Sequence, residues 1–585
     1  MALHDTLSTD LPPAPVPGLR PADEVMALSR LGSLHASRLS FSRSLVRQMI
    51  RERWQLECER FALDAQGYGD AIYLVATPSG IFRFVVFAHY LDPSQRSDRV
   101  VANDWDLAFV LCKGDLSSSD LEELRANVPR QEAGRCSARV LTLSRANRSQ
   151  RNFEAVVERL AEGRQPDAEW FENVGYLYRT TAVYGNGKFG IGDYEYLRQG
   201  KTFARPFAAE LFTVYMVRHF AFAQVEHIAR QRAPAAAVPL AAPLKRYLGI
   251  GNSTGLGMAP FLISHPQLID RWVHMRETAL ARIHALGPIT PGQHDRLAAL
   301  VERARRYIRQ THTDDAAQSE SNRRIEQDLA ALQRWLSLMA RQVDTQHGPQ
   351  PDWRQLSAMA QRHGSVETQE LINSLLLELH PAQVNALEDH LSVDSAPALQ
   401  ADMTAATLRD LIETHYAWAL AYDFNDPAEQ RYFWYRAATK EEPRVGRRGQ
   451  DRGAEREMSL GVARTIRHCY DALLGFIGTT PQADVVDFLL AEPDYRAITR
   501  RIQTLATLPY GEIRANLLGP DCRPLDLLRC KLSFFGAGKF DPRSDRWVRI
   551  TLFQGAPLVD DLTRVDEEFD WFMATRPDPR AVETS

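Results

Sequence analysis

AIYLVATPSGIFRFVVFAHY, residues 71–90, decides the fold class of this chain. Two runs rich in β-branched and aromatic residues, Ala71–Thr77 and Ile81–Tyr90, flank Pro78-Ser79-Gly80. Proline then glycine in a short connection is turn chemistry, so the stretch predicts a β-hairpin. Further strands are expected at Trp105–Cys112 and Val140–Leu143. Between them, Ser119–Val128 sets Ser and Asp ahead of Glu122 and Glu123, the order of a helix start. Upstream, Leu45, Met49, Trp54 and Phe61 recur at near-helical intervals, which predicts helix from about Ala22 to Leu63. Residues 25–165 therefore read as an α+β domain with a small antiparallel sheet. A Pro-rich, polar tail covers residues 1–24.

Further along, helical patterns dominate. Val174–Tyr184 has strand composition, and Ala208–Arg230 is the clearest long helix. Ala233–Pro243 is an Ala/Pro-rich connector, and a helix is expected at Pro266–Leu286. Residues 290–420 read as helices at Asp295–Thr311, Asn322–Val343, Glu367–Leu379 and Ala405–Ala417. No repeat of roughly 34 or 40 residues is visible, so a solenoid is not expected. Lys440–Arg456 is polar and glycine-rich and reads as an exposed loop. Helices resume to about Phe535, and Trp547–Phe553 reads as a late strand. The expected fold is thus α+β and predominantly helical. Residues 166–289 form a glycine-loop and long-helix segment, 290–420 a helical region, and 421–585 a mixed helical region.

Composition narrows the function classes. A chain of 585 residues exceeds the roughly 250–300 that one core supports, so several domains are expected. Its 44% hydrophobic and 25% charged residues are ordinary for globular proteins. With 70 basic and 74 acidic residues the net charge is −4, which gives no global reason to bind nucleic acid or an anionic membrane. The six cysteines include no C-x-x-C pair, which argues against paired zinc knuckles, and they are too sparse for a disulfide scaffold. No metal set is expected. The N-terminus has no basic start followed by an apolar run, and no stretch reaches the ~18 apolar residues of a membrane span. Free thiols and these absences together predict a cytoplasmic location.

Two glycine-rich segments carry the functional expectation. Tyr184–Asp193 contains Gly185-Asn-Gly187-Lys188-Phe-Gly190, a literal G-x-G-x-x-G. The dinucleotide fingerprint opens a helix inside a βαβ unit, and Gly190-Ile-Gly192-Asp193 is a poor helix opening. Glycines also let backbone N–H groups converge on an anion, and Lys188 and Arg179 add cations. The second segment, Gly249–Met258, contains Gly251-Asn252-Ser253-Thr254-Gly255, a G-x-S-x-G. A nucleophile elbow needs a buried strand before it and a helix after it. Pro243-Leu-Lys-Arg-Tyr-Leu is not a strand core, so Asn252, Ser253 and Thr254 read better as hydrogen-bonding groups in a loop.

Between the segments, Tyr215, His219, Phe222 and Glu226 fall on one stripe of the long helix at about 100° per residue. His219 with Glu226 is the candidate acid–base pair. A third cluster, Phe535-Gly536-Ala537-Gly538-Lys539-Phe540, makes Lys539 a secondary anion-site candidate. The expectation is a cytosolic enzyme whose small anionic substrate or cofactor lies between the two glycine-rich loops. Its chemical identity and the reaction class are left open. The alternatives are a serine-nucleophile hydrolase using Ser253 and a non-enzymatic helical scaffold.

Overall fold

The computed structural model describes residues 18–90, 92, 105–127, 139–184, 200–255, 265–344, 352–388, 391, 397–424, 432–436, 443–447, 462–513, 524–544 and 547–583. The predicted hairpin is present. Strands β2 (Gly69–Thr77) and β3 (Gly80–Ala88) pair antiparallel, from Thr77 opposite Gly80 to Gly69 opposite Ala88. Around them runs one nine-stranded sheet, not the small N-terminal sheet that the sequence suggested. Its other members are β1 (Gln55–Leu63), β4 (Leu107–Lys113), β5 (Val140–Arg148), β6 (Tyr176–Tyr184), β7 (Gly249–Gly255), β10 (Ala537–Ser544) and β11 (Trp547–Leu552). The order is β1-β2-β3-β4-β5-β6-β7-β11-β10. Residues far apart in the chain thus meet in one sheet. A separate hairpin pairs β8 (Tyr432–Arg436) with β9 (Pro443–Arg447).

Three departures from the sequence reading have physical causes. The helical pattern over 22–63 covers two single-turn helices, Ala22–Val25 and Leu28–Leu31, and a longer one at Phe41–Arg51. Arg53 then takes φ 52, and the chain enters β1. That strand is at the sheet edge and mostly exposed, so charged residues are tolerated and the two-residue alternation is blurred. The glycine-rich stretch 249–255 is a strand rather than a loop, and the cluster after Phe535 runs into another. Neither has the β-branched composition that marks a strand. Finally, β9 lies inside the stretch that was read as a loop.

Both faces of the central strands are covered. On one face Ile72, Val85, Phe87, Val110 and Val140 form a cluster under the helix Ser118–Asn127, which contributes Leu121 and Leu124. On the other face lies the long helix, Ala208–Arg232, with Phe212, Met216, Phe220 and Val225 fully buried. This helix is apolar on nearly all sides because protein surrounds it. Its central charge, Arg218, is 2% exposed. It donates to the carbonyl oxygens of Leu248, Pro557, Lys245, Arg246 and Ala556 at 2.7–3.1 Å. Burial lowers its pKa only to about 10, so it stays charged at neutral pH. The helices Pro266–His284, Pro291–Arg309, Ala316–Asp344 and Val366–Leu379 follow the predicted pattern within a few residues. Among the described residues, no helix is long and apolar enough to cross a membrane.

Candidate functional site

β6 and β7 are the only parallel neighbours among the described strands. Tyr176 is level with Gly249, Arg179 with Gly251, and Thr180 with Asn252. Parallel pairing makes Tyr184 and Gly255 leave the sheet at the same end, on adjacent strands. The two glycine-rich segments therefore start side by side. Gly185, Gly187, Lys188 and Gly190 lie outside the described residues, as do the side chains of Ser253 and Thr254.

The described part of the junction explains two of its glycines. A Cβ at Gly249 would stand 2.3 Å from the Leu552 carbonyl oxygen, and one at Gly251 would stand 2.4 Å from the Tyr176 ring. Asn252 Nδ2 donates to Thr180 Oγ1 at 3.2 Å, tying the two strands through side chains. Arg179 is 4% exposed and Thr180 is fully buried, so the strand leading to the first glycine segment is polar inside the protein. Ser253 is inside β7, with its Cα opposite Arg549 of β11. A nucleophile elbow puts its serine on a strand-to-helix turn instead.

The expected acid–base pair is engaged elsewhere. Glu226 Oε1 takes Lys245 Nζ at 2.6 Å and the Leu240 N–H at 2.9 Å. Residues 240–248 lead into the start of β7, away from its exit. His219 lies edge-on to Tyr73, with ring centroids 5.4 Å apart. Protein encloses the ring although part of the residue reaches the surface, and that burial lowers its pKa to about 4. No hydrogen bond joins His219 to Glu226 among the described contacts. Tyr215, on the same stripe, donates to the Pro557 carbonyl at 3.0 Å. The stripe thus ties the helix to neighbouring backbone. Lys539, the secondary anion candidate, is 9% exposed and donates to the Glu172 carbonyl.

One titratable group near the junction was missed. Glu210 lies in the first turn of Ala208–Arg232 and is 6% exposed. Neither of its carboxylate oxygens has a hydrogen-bond partner among the described residues. Burial raises its pKa to about 7. One turn later, Thr213 Oγ1 meets Thr142 Oγ1 at 2.5 Å, beside Leu143, which pairs with Tyr184 at the β6 exit. Arg218 and Gln224, further along, reach Leu248 and Tyr178. The start of the helix, with Glu210, is therefore directed toward the exit of β6. An acid in the first turn looks like routine helix-dipole complementarity in sequence, which hid it.

Comparison with family models, curated proteins and solved structures finds no match to this chain.

Proposed function

We propose that the protein is an enzyme acting on a small anionic molecule, bearing a carboxylate, phosphate or acyl group, held where β6 and β7 leave the sheet. One observation carries this reading. The parallel pairing of Arg179 and Thr180 with Gly251 and Asn252 starts both glycine-rich segments from adjacent strand ends. In open sheets, ligands bind beyond the carboxyl ends of parallel strands. In this reading, backbone N–H groups of Gly185–Gly190 and the Lys188 ammonium take the anion. Asn252 and Thr254 orient the reacting group. Glu210 carries the proton in place of His219 and Glu226, because a carboxyl that titrates near 7 can both give and accept one at neutral pH.

The test is cross-linking combined with native mass spectrometry. In a background with Cys58, Cys136 and Cys522 replaced by serine, cysteines replacing Gly187 and Gly257 should join within one chain through a short bifunctional maleimide. The wild-type protein should retain a small anion that Lys188→Ala loses. Absence of the cross-link in folded protein would sink the reading. Fluorophosphonate labelling that disappears in Ser253→Ala would replace it with the serine-hydrolase one.

A further inference from the structure

A cavity of about 80 Å³ lies away from the β6–β7 exits, with several times the room that one water needs. It borders Gly536–Gly538, at the end of the β7–β11–β10 strip where Ile250 pairs with Leu552 and Leu552 with Ala537. The glycine-rich segment after Gly255 continues from the other end, where Gly255 pairs with Trp547.

Its lining contains two arginines, Arg43 and Arg529, and no aspartate or glutamate. Each guanidinium lies over an aromatic ring, Arg43 at 4.9 Å from the Trp571 centroid and Arg529 at 4.4 Å from that of Phe540. Arg43 also donates to Glu378 at 2.6 Å. Among the described residues, Ser40 Oγ, Arg43 Nε and Asn322 Nδ2 are buried polar atoms without a partner. Ser40 is fully buried, and Asn322 is 8% exposed. A hydrogen-bond relay orients the Asn322 amide. Arg529 donates to Gln318 Oε1 at 2.5 Å, and Gln318 Nε2 donates to Asn322 Oδ1 at 2.8 Å. The amino end of Asn322 is thereby left unused.

Ser40 is the N-cap of the helix Phe41–Arg51, yet its side chain makes no capping bond. The first-turn N–H groups of a helix have no acceptor within it and carry partial positive charge. Gly536 lets the chain approach this helix end. Its φ is +91, and a Cβ there would stand 1.9 Å from Ser42 Oγ and 2.8 Å from Ser40 Oγ. His35 completes the wall. Its Nδ1 donates to the Ser33 carbonyl at 3.1 Å, and burial with Arg529 nearby lowers its pKa to about 3. The ring is neutral at physiological pH, and Nε2 is an acceptor for a protonated oxygen.

A buried donor left unpaired costs about 1–3 kcal/mol, and three of them meet here beside two arginines, in a lining without a carboxylate although Arg43 reaches Glu378 behind it. The donors come from three chain elements around one space, Ser40 and Arg43 from one helix and Asn322 and Arg529 from two others, which suits a tetrahedral oxyanion over a planar one. We infer that this cavity is a phosphate-binding site, formed by Ser40, Arg43, Asn322 and Arg529 at the helix N-terminus. The phosphate is either the free ion or the head of a monoester whose organic part lies against the aromatic rings.

The test uses the full chain titrated with inorganic phosphate, phenyl phosphate and acetate, read by calorimetry and thermal unfolding. Inorganic phosphate should bind saturably and raise Tm. Asn322→Asp keeps the acceptor toward Gln318 but replaces the donor with a carboxylate. It should abolish the phosphate effect while leaving the ligand-free protein folded, because the bond accepted from Gln318 is kept. Ser40→Ala should weaken binding about tenfold, or ~1.4 kcal/mol. Lys188→Ala should leave the affinity unchanged, which separates this site from the one proposed at the strand exits. Tighter binding of phenyl phosphate identifies a monoester as the ligand, and tighter binding of inorganic phosphate identifies the free ion. Absence of saturable binding, undiminished binding in Asn322→Asp, or acetate bound as tightly as phosphate would each overturn the inference.

Discussion

The β6–β7 junction and the Gly536 cradle use the same residue for different physical purposes. At the junction, Gly249 and Gly251 make room for a carbonyl oxygen and an aromatic ring. Those are demands of strand packing, met wherever two backbones approach closely. At the cradle, Gly536 makes room for two serine hydroxyls, and a positive φ is required as well. The buried polar groups also differ. Near the junction exit stands Glu210, a carboxyl without a described partner, whereas the cradle gathers unpaired donors and arginines. A glycine-rich pattern therefore says that something comes close, and the chemistry of the neighbour decides what the closeness is for.

The comparison can be broken first at Gly249. Gly249→Ala pushes a methyl against the Leu552 backbone, which cannot move without parting β7 from β11. A loss of about 4 kcal/mol in denaturant unfolding is expected, and no single side-chain truncation should restore it. Gly536→Ala should cost about 3 kcal/mol, with a different signature. Adding Ser42→Ala removes the clash with the Ser42 hydroxyl and should recover part of the loss, the positive φ and the Ser40 hydroxyl accounting for the remainder. Complete recovery, or none, would mean that the two glycines are not distinguished in this way.

Glu210 sharpens the electrostatic half of the comparison. Its carboxyl titrates near 4.5 when unfolded and near 7 when folded. Between those values the folded state holds the extra proton, so stability falls as pH rises through the window. Above pH 7 the full cost is on the order of 3 kcal/mol. Glu210→Gln should match wild type near pH 4 and become progressively more stable than it up to pH 8. A pH-independent difference in Tm would show that Glu210 is not the group responsible. The smallest effect is expected at Asn252. Asn252→Ala gives up the bond to Thr180 and should cost about 1 kcal/mol in unfolding experiments. A loss far above that would show that Asn252 ties β6 to β7 more strongly than one neutral hydrogen bond does.

Legibility followed the local signal. The hairpin at 69–88 was readable because its β-branched and aromatic residues are flanked by turn residues, and both strands are interior. The long helices were readable from their apolar spacing. β1 was misread because an edge strand with one solvated side does not need a regular apolar alternation. β7 reads as a loop, and β10 carries no strand signal, because their glycines serve neighbours from other parts of the chain. Asp106, a charged residue at the start of the strand expected at Trp105–Cys112, is 1% exposed and accepts the Arg148 N–H at 3.0 Å. His219 and Glu226 lie on one helix, Ala208–Arg232, but their partners, Tyr73 and Lys245, lie on other elements.

The sequence by itself determined the mixed helical and strand character, the hairpin, the long central helix and the glycine-rich segments that deserve testing. These are encoded by local composition and periodicity, which act over a few residues. Only the tertiary structure decided that there is one nine-stranded sheet, that β6 and β7 are parallel neighbours, and that Ser40, Asn322 and Arg529 line the same cavity. The reason is physical. Strand pairing and burial join residues hundreds of positions apart, and no local pattern records which distant backbone a glycine must let in or which buried donor will be left without an acceptor.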